Sequence, residues 1–182
     1  MDHQISLVAT GGINMQEEKV LKLKLENTWT VICKDAKGRE KWREVNDNLV
    51  TNAGLNDILD KYLKGSSYTA AWYIGIKAVG TAVAADTMAS HSSWSELAGY
   101  TQSTRPALSL GTVASQSVDN SASKGTFSVN ATATVAGAFL STDNTKSGTS
   151  GTLYGVVDFG SSRAVISGDT LEVTVTLTSA SA

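Results

Sequence analysis

Residues 168–177 read Gly-Asp-Thr-Leu-Glu-Val-Thr-Val-Thr-Leu, and this stretch carries the clearest fold signal in the chain. Its apolar residues, from Leu171 to Leu177, alternate strictly with Thr and Glu. Because successive side chains of a strand point to opposite faces, this period of two gives one apolar face and one polar face. Gly168-Asp169 supplies a turn just before the strand. The stretch therefore predicts a half-buried β-strand.

The same alternation recurs along most of the chain after residue 70. It is seen in Trp72-Ile74-Ile76 and Phe127-Val129-Ala131, and short apolar runs follow at 135–140 and 153–159. Short strands separated by turn signals every ~8–12 residues are typical of an antiparallel β-sandwich or barrel. We therefore predict a mainly β protein, an antiparallel β-sandwich of jelly-roll or immunoglobulin-like type. Residues 78–100 are not assigned, apart from a short helix expected around Ser92–Leu97.

One short helix is predicted near residues 52–64. Its apolar residues, spaced at i, i+3, i+4, i+7 and i+8, form a single stripe that should pack on a sheet. They are Leu55, Ile58, Leu59, Tyr62 and Leu63. Thr51 or Asn52 can cap the start of the helix, and Gly65 suits the left-handed residue that ends it.

The N-terminal part differs from the rest in charge. Residues 1–64 hold 10 Lys/Arg and 10 Asp/Glu, whereas residues 65–182 hold 5 and 7. Within this part, Leu21, Leu23 and Leu25 alternate with charged residues, and residues 35–38 suit a hairpin loop. We predict a charged N-terminal extension, residues 1–46, containing a β-hairpin, and a sandwich body, residues 47–182. Deleting the extension should then leave the body folded.

Two sets of residues follow from these patterns. The predicted core consists of Leu55, Ile58, Leu59, Trp72, Ile74, Phe127, Val129, Phe139, Leu153, Leu171, Val173 and Val175. The candidate interface residues are Leu21, Leu23, Leu25, Trp42 and Trp94, because the leucines lie on one strand face and the tryptophans lie in polar neighbourhoods.

Composition excludes several classes of protein. A net charge of -2 argues against nucleic-acid binding driven by phosphate contacts, and no apolar run approaches the length of a membrane helix. Cys33 is the sole cysteine and the chain has 2 histidines, so an internal disulfide is excluded and a multi-histidine metal site is hard to build. We expect no cofactor, no metal site, and no nucleic-acid or membrane partner.

Catalytic motifs are also missing from the sequence. His91 lies near Asp86, Ser90 and Glu96, but a catalytic triad is defined in space and not by neighbours in sequence. No Gly-x-Ser-x-Gly elbow or phosphate-binding loop occurs, and most carboxylates after residue 65 lie in predicted turns. We therefore expect no catalytic residues and no enzyme activity.

The order of several short segments resembles a known group of proteins. Asn48-Leu49-Val50-Thr51-Asn52-Ala53-Gly54-Leu55 leads into the helix, and a series of short motifs follows it. These are Ala71-Trp72-Tyr73-Ile74-Gly75-Ile76, Tyr100, Thr104-Arg105-Pro106, Asn120–Lys124, Val135–Leu140, Gly151–Gly155 and Gly168–Leu171. From about residue 40 to the end, the chain resembles small β-rich virion proteins of tailed bacteriophages, the head decoration or cement proteins.

The resemblance implies a structural role. It implies a non-enzymatic protein that binds and stabilises a lattice of the major capsid protein, or binds other virion proteins, and is assembled in the host bacterial cytoplasm. It also implies self-association as a homo-oligomer, with a trimer as the expected state. The motifs do not separate this role from a neck, tail or baseplate role. A receptor- or glycan-binding β-sandwich remains an alternative, with Trp94 and Tyr100 as its candidate loop aromatics.

Overall fold

Two antiparallel sheets pack face to face in the structure, a computed structural model that describes residues 23–68 and 71–181. Within these ranges, each sheet has five strands. The first sheet contains β1 (Leu23–Lys34), β2 (Glu40–Asp47), β6 (Ser117–Asp119), β7 (Gly125–Ser128) and β10 (Thr170–Ser181). The second contains β3 (Leu49–Val50), β4 (Tyr73–Val79), β5 (Ser95–Glu96), β8 (Ala133–Ser141) and β9 (Leu153–Val165).

The strand order brings the two ends of the described chain together. The first sheet runs β2-β1-β10-β6, with β7 also paired to β10, and the second runs β3-β9-β8-β4-β5. β1 and β10 pair along their full length, from Leu23 opposite Ser181 to Lys34 opposite Thr170. The structure confirms the predicted antiparallel sandwich with one short helix.

The main core lies between the inward faces of the two sheets. Burial along β10 alternates as the sequence predicted, since Leu171, Val173 and Val175 are buried while the residues between them are partly exposed. Eight of the twelve predicted core residues are buried. They are Ile74, Phe127, Val129, Phe139, Leu153, Leu171, Val173 and Val175.

The hairpin expected in the N-terminal extension exists, but it belongs to the sandwich. β1 and β2 pair with Cys33 opposite Trp42, and Gly38 takes a positive φ of 76° in the turn between them. β1 lies between β2 and β10, and its residues Trp29, Val31 and Cys33 are buried in the core. A boundary at residue 46 is therefore wrong for residues 23–46, because their apolar alternation supplies one wall of the core. Residues 1–22 lie outside the described residues.

The predicted helix is present at the predicted place. α1 (Asn52–Ile58) continues into a π-helical turn (Leu59–Leu63), and the Thr51 hydroxyl caps it by accepting a hydrogen bond from the Gly54 amide at 3.1 Å. Gly65 follows with a φ of 79°, the left-handed conformation that a glycine adopts without strain.

The helix does not bury its apolar stripe as predicted. Leu55 is 43% exposed, Leu59 53%, Tyr62 84% and Leu63 70%, while Ile58 is half-buried. The physical reason is that the helix approaches β9 through Gly54, where a Cβ atom would lie 2.2 Å from the Tyr154 carbonyl oxygen. This close backbone contact turns most of the larger side chains away from the sheet.

Residues 78–100 contain a strand instead of the expected short helix. β5 pairs with β4, and the loops around it support a second, smaller core beside the main one. Its buried residues are Met88, Trp94, Phe139, Leu153 and Val156. Phe139 fits there because Gly75 on the neighbouring strand has no Cβ, which would lie 2.1 Å from the Phe139 ring.

Candidate functional site: an apolar cleft beside an exposed helix face

A cleft of about 480 Å³ opens beside the helix, between the helix and the ends of the two sheets. Most of the surface that lines it is apolar. The helix contributes Ile58 and Tyr62, the segment before β6 contributes Leu108 and Val113, and β1 contributes Leu25. The remaining lining residues are Asn27, Asp57, Lys61, Tyr68, Trp72, Gln116, Ser117, Val118, Leu140, Tyr154, Leu177, Thr178 and Ser179.

Aromatic rings are fixed in the cleft by their own contacts. The rings of Trp72 and Tyr154 meet edge to face with centroids 5.4 Å apart, and Trp72 Nε1 donates a hydrogen bond to the Tyr68 hydroxyl at 2.9 Å. Burial raises the pKa of the Tyr154 phenol, while a hydrogen bond from Asn27 Nδ2 at 3.5 Å opposes that rise. Trp72, predicted as a core residue, is instead half-buried and forms part of a mainly apolar surface suited to an apolar ligand.

The exposed residues of the helix extend this apolar surface. We call Leu55, Leu59, Tyr62 and Leu63 the helix face; Tyr62 belongs both to it and to the cleft. Contiguous apolar patches are uncommon on soluble monomers and commonly mark contact with another molecule. The cleft and the helix face together are the strongest candidate for an interaction surface in the described part of the chain.

The leucines predicted as interface residues have different outcomes. Leu25 is half-buried and lines the cleft, so the structure places it at a candidate interaction surface. Leu23 begins β1 opposite Ser181 of β10. Leu21 lies outside the described residues.

The two predicted interface tryptophans lie away from the cleft. Trp42 is half-buried against the main core, where its Nε1 donates to the Ala164 carbonyl oxygen at 3.2 Å. Trp94 is 4% exposed, and its Nε1 donates to Asp86 Oδ2 at 2.9 Å. Because its ring is buried in the smaller core, Trp94 presents no anchor at the surface.

His91 serves the packing of Trp94. The two rings stack with centroids 4.0 Å apart, and His91 Nδ1 lies 3.1 Å from the Trp94 carbonyl oxygen. These contacts explain the position of the ring without a nucleophile or an acid partner. Across residues 23–68 and 71–181, no group of three or more His, Cys, Asp and Glu residues is placed to hold a metal ion.

Among the described residues, Arg105 is the buried charge with the most side-chain hydrogen bonds, and the sequence did not reveal this role. Its guanidinium binds both oxygens of Glu96, at 3.0 and 2.7 Å, and donates to the carbonyl oxygens of Asp143 and Gly148 at 2.7 and 2.9 Å. It also lies 5.1 Å from the centre of the Phe139 ring. Arg105 therefore joins β5 to the loop between β8 and β9, and its role is structural.

A second buried cation crosses the middle of the second sheet. Lys77 on β4 is fully buried and lies 2.8 Å from Asp158 on β9, and its Nζ also donates to the Gly80 carbonyl oxygen. β8 lies between these strands and places Gly137 next to both residues. A Cβ at Gly137 would lie 2.9 Å from Lys77 Cε, so the glycine leaves the space that the lysine uses.

The thiol of Cys33 is a potential nucleophile, but its surroundings suppress its reactivity. Burial raises the pKa of the thiol to about 12, and the nearby Asp169 carboxylate adds to the rise. Asp169 itself is held at 2.5 Å by Lys41. Since the thiolate is the reactive form, Cys33 is inert at neutral pH.

Sequence reasoning missed most of the cleft because its lining comes from loops and from single positions on several strands. Leu108 and Val113 lie in a segment without apolar periodicity, and Tyr154 looked like one residue of a core strand.

Within the described ranges, no helix has both the length and the apolar character needed to cross a bilayer. No protein-family model and no curated protein matches this chain.

Proposed function

We propose that this protein is a non-enzymatic structural component of a bacteriophage particle, a capsid decoration protein that binds the major capsid protein lattice. The observation that carries the proposal is the helix face, four large apolar side chains that the fold leaves exposed. Full burial of a large apolar side chain from water contributes roughly 1.5–3 kcal/mol, and these side chains, which are 43–84% exposed, would gain the corresponding part of it. A partner surface that covers the helix face and the cleft rim supplies that burial.

The remainder of the surface suits a protein that works by contact. Residues 65–182 contain 21 Ser and 17 Thr, and Thr residues occupy the outward positions of β10. Hydroxyl groups keep such a surface hydrated without a strong field, so repeated copies can lie side by side without repulsion. Self-association of the decoration protein, as a trimer by analogy with the resembled family, belongs to the same proposal.

The glycan-binding alternative receives less support from the residues that would carry it. Trp94 is 4% exposed and Tyr100 is 1% exposed, so neither ring is available as a platform for sugar stacking. The cleft does offer aromatic rings, but its lining is mainly apolar and its indole N–H already has a partner. Sugar hydroxyls require several convergent polar groups, which favours an apolar protein segment as the ligand.

Copy number in purified particles tests the location. We expect mass spectrometry of particles from a culture that expresses this chain to find it at a fixed ratio to the major capsid protein, in hundreds of copies. A few copies per particle would instead indicate the neck, tail or baseplate. Absence from purified particles, with the chain present in the lysate, would overturn the virion proposal.

Variants of the helix face test the surface itself. Replacing Leu59 and Leu63 together by Glu should reduce incorporation into particles at least ~10-fold, because two charges would have to be buried in the contact. Folding should be unchanged, since both side chains are exposed. The matched control is Val45→Glu, an exposed apolar residue on β2, which should incorporate normally. Normal incorporation of the Leu59→Glu/Leu63→Glu protein would show that the helix face is not the contact.

A further inference from the structure

We propose that the helix face of one copy packs against the helix face of a second copy of this chain, antiparallel and about a two-fold axis near Leu59. The second copy is then the partner that covers this surface, while the cleft beside it stays open to another molecule. The contact rests on the proposed function in one respect, namely that the helix face is a contact surface. Two purified chains are sufficient to form it, so it is testable apart from a virus particle.

The area of the helix face is enough for a contact between two copies. Its four side chains are 43%, 53%, 84% and 70% exposed. At roughly 200 Å² for a fully exposed large side chain, these fractions leave on the order of 500 Å² on each copy. Two paired faces would bury on the order of 1,000 Å² from these residues alone, which is about the lower limit for a specific interface.

The three leucines of the face form a row that another helix can accept. Leu55 and Leu59 are four residues apart in the chain, and Leu63 follows after four more, at the end of the π-helical turn. That turn closes with a hydrogen bond from the Lys64 amide to the Leu59 carbonyl oxygen at 2.9 Å, five residues earlier. Because such a turn winds less per residue than an α-helical turn, it keeps Leu63 in line with Leu55. Rows of residues four apart pack into the grooves of a facing helix.

The row is also its own complement. With a two-fold axis at Leu59, that residue meets Leu59 of the second copy, and Leu55 meets Leu63 of the second copy. Each leucine then has an apolar partner, and no second type of surface is needed. Contacts of this isologous kind are the commonest in soluble oligomers, since two-fold dimers outnumber other symmetric assemblies.

The charges of the helix favour the antiparallel arrangement. Residues 52–58 contain one acidic residue, a net charge of -1, whereas residues 59–64 contain one acidic and two basic residues, a net charge of +1. An antiparallel pair places halves of opposite sign side by side and also opposes the two helix dipoles. A parallel pair would instead bring together the two Lys64 side chains, each 77% exposed. Asp60 is paired with Lys64 at 3.3 Å within its own helix, so this charge is neutralised before the contact forms.

A single cysteine on the proposed axis tests the contact in the full-length chain. Since a residue on a two-fold axis faces its own copy, Leu59→Cys should form a disulfide-linked dimer under mild oxidation. Cys33 does not interfere, because it is buried and its raised pKa keeps it protonated. The matched control is Val45→Cys on β2, since Val45 is 57% exposed and Leu59 53%. We expect the control to cross-link at least ~10-fold more slowly, because its cysteines are not held together at a high effective concentration.

Mixing two other variants tests the orientation. When differently tagged Leu55→Cys and Leu63→Cys chains are oxidised together, the mixed dimer should form well above the share expected from random pairing. A parallel contact would instead link each variant to itself. Preferential self-linking of both variants would therefore overturn the antiparallel arrangement.

Self-association without cross-linking supplies a second measurement. Sedimentation equilibrium of the purified chain should show a dimer whose population rises with concentration. The variant Leu59→Glu/Leu63→Glu should associate at least ~10-fold more weakly, because its charges would have to be buried against the second copy. Val45→Glu should associate as the unchanged chain does.

The outcomes distinguish this contact from the virion role. Equal cross-linking of Leu59→Cys and Val45→Cys, or a dimer that Leu59→Glu/Leu63→Glu does not weaken, would overturn the contact. A Leu59→Cys disulfide in a chain that is absent from purified particles would support the contact and contradict the virion role. A chain that is present in particles but forms no Leu59→Cys disulfide, either free or in particles, would overturn the contact and leave the virion role standing.

Discussion

A chain that begins at Asn48 is expected not to fold. The deletion removes β1 and β2, and with them Trp29, Val31 and Cys33 from the centre of the core. It also removes the partner of β10 along its whole length, from Leu23 opposite Ser181 to Lys34 opposite Thr170. The remaining chain would expose an unpaired edge beside an apolar sheet face, which favours aggregation.

The expected loss is comparable with the whole stability of such a domain. Burial of a large apolar side chain contributes roughly 1.5–3 kcal/mol, and β1 supplies Trp29, Val31 and Ile32 in addition to its backbone hydrogen bonds. Domains of this size are stable by only about 5–15 kcal/mol. We therefore expect circular dichroism and urea titration of residues 48–182 to show no cooperative unfolding transition.

The matched control is a chain that begins at Leu23. It should unfold cooperatively, because it keeps every described strand and every described residue of the main core. A cooperative transition in residues 48–182 near that of the full chain would show that β1 is dispensable. It would restore the division into an extension and a body that the sequence suggested.

Alternation predicted the strands well because a period of two reports directly on burial. Leu171, Val173 and Val175 are buried on one face of β10, and the same rule identified Ile74 and Phe127. Each of these signals is local, since it needs only neighbouring residues. Pairing partners are not local, which explains why the hairpin of β1 and β2 was predicted while the pairing of β1 with β10 was not.

The helix shows where local pattern misleads. A stripe of Leu55, Leu59 and Tyr62 predicts a buried face, yet burial was decided by Gly54, whose missing Cβ allows the backbone to approach Tyr154. The helix face remains exposed because the close contact at Gly54, and not the apolar stripe, decides which side of the helix meets the sheet. A sequence alone could identify the apolar stripe, but only the packing of the helix reveals that the stripe remains available.

Replacing Arg105 by Met is expected to cost about 3–5 kcal/mol of unfolding free energy, because it leaves a buried charge without its partner. The Glu96 side chain is 7% exposed and would keep only the Ser147 amide, at 2.9 Å, among the hydrogen-bond donors seen in the structure. The carbonyl oxygens of Asp143 and Gly148 would also lose their donors. Urea titration monitored by tryptophan emission should show the loss as a lower midpoint with an unchanged slope.

Two further variants separate the buried pair from ordinary surface charge. Arg43→Met removes an exposed cation paired with Glu40, and it should cost less than about 1 kcal/mol because water screens that pair. The double variant Arg105→Met/Glu96→Leu should be more stable than Arg105→Met alone, since removing both partners leaves no buried charge. If the double variant were instead no more stable than Arg105→Met, the unpaired carboxylate would not be the source of the damage, which would then come from the lost links to Asp143 and Gly148. Arg105 would then act mainly by holding the loop between β8 and β9 against the smaller core, where its guanidinium faces the Phe139 ring that contacts Trp94.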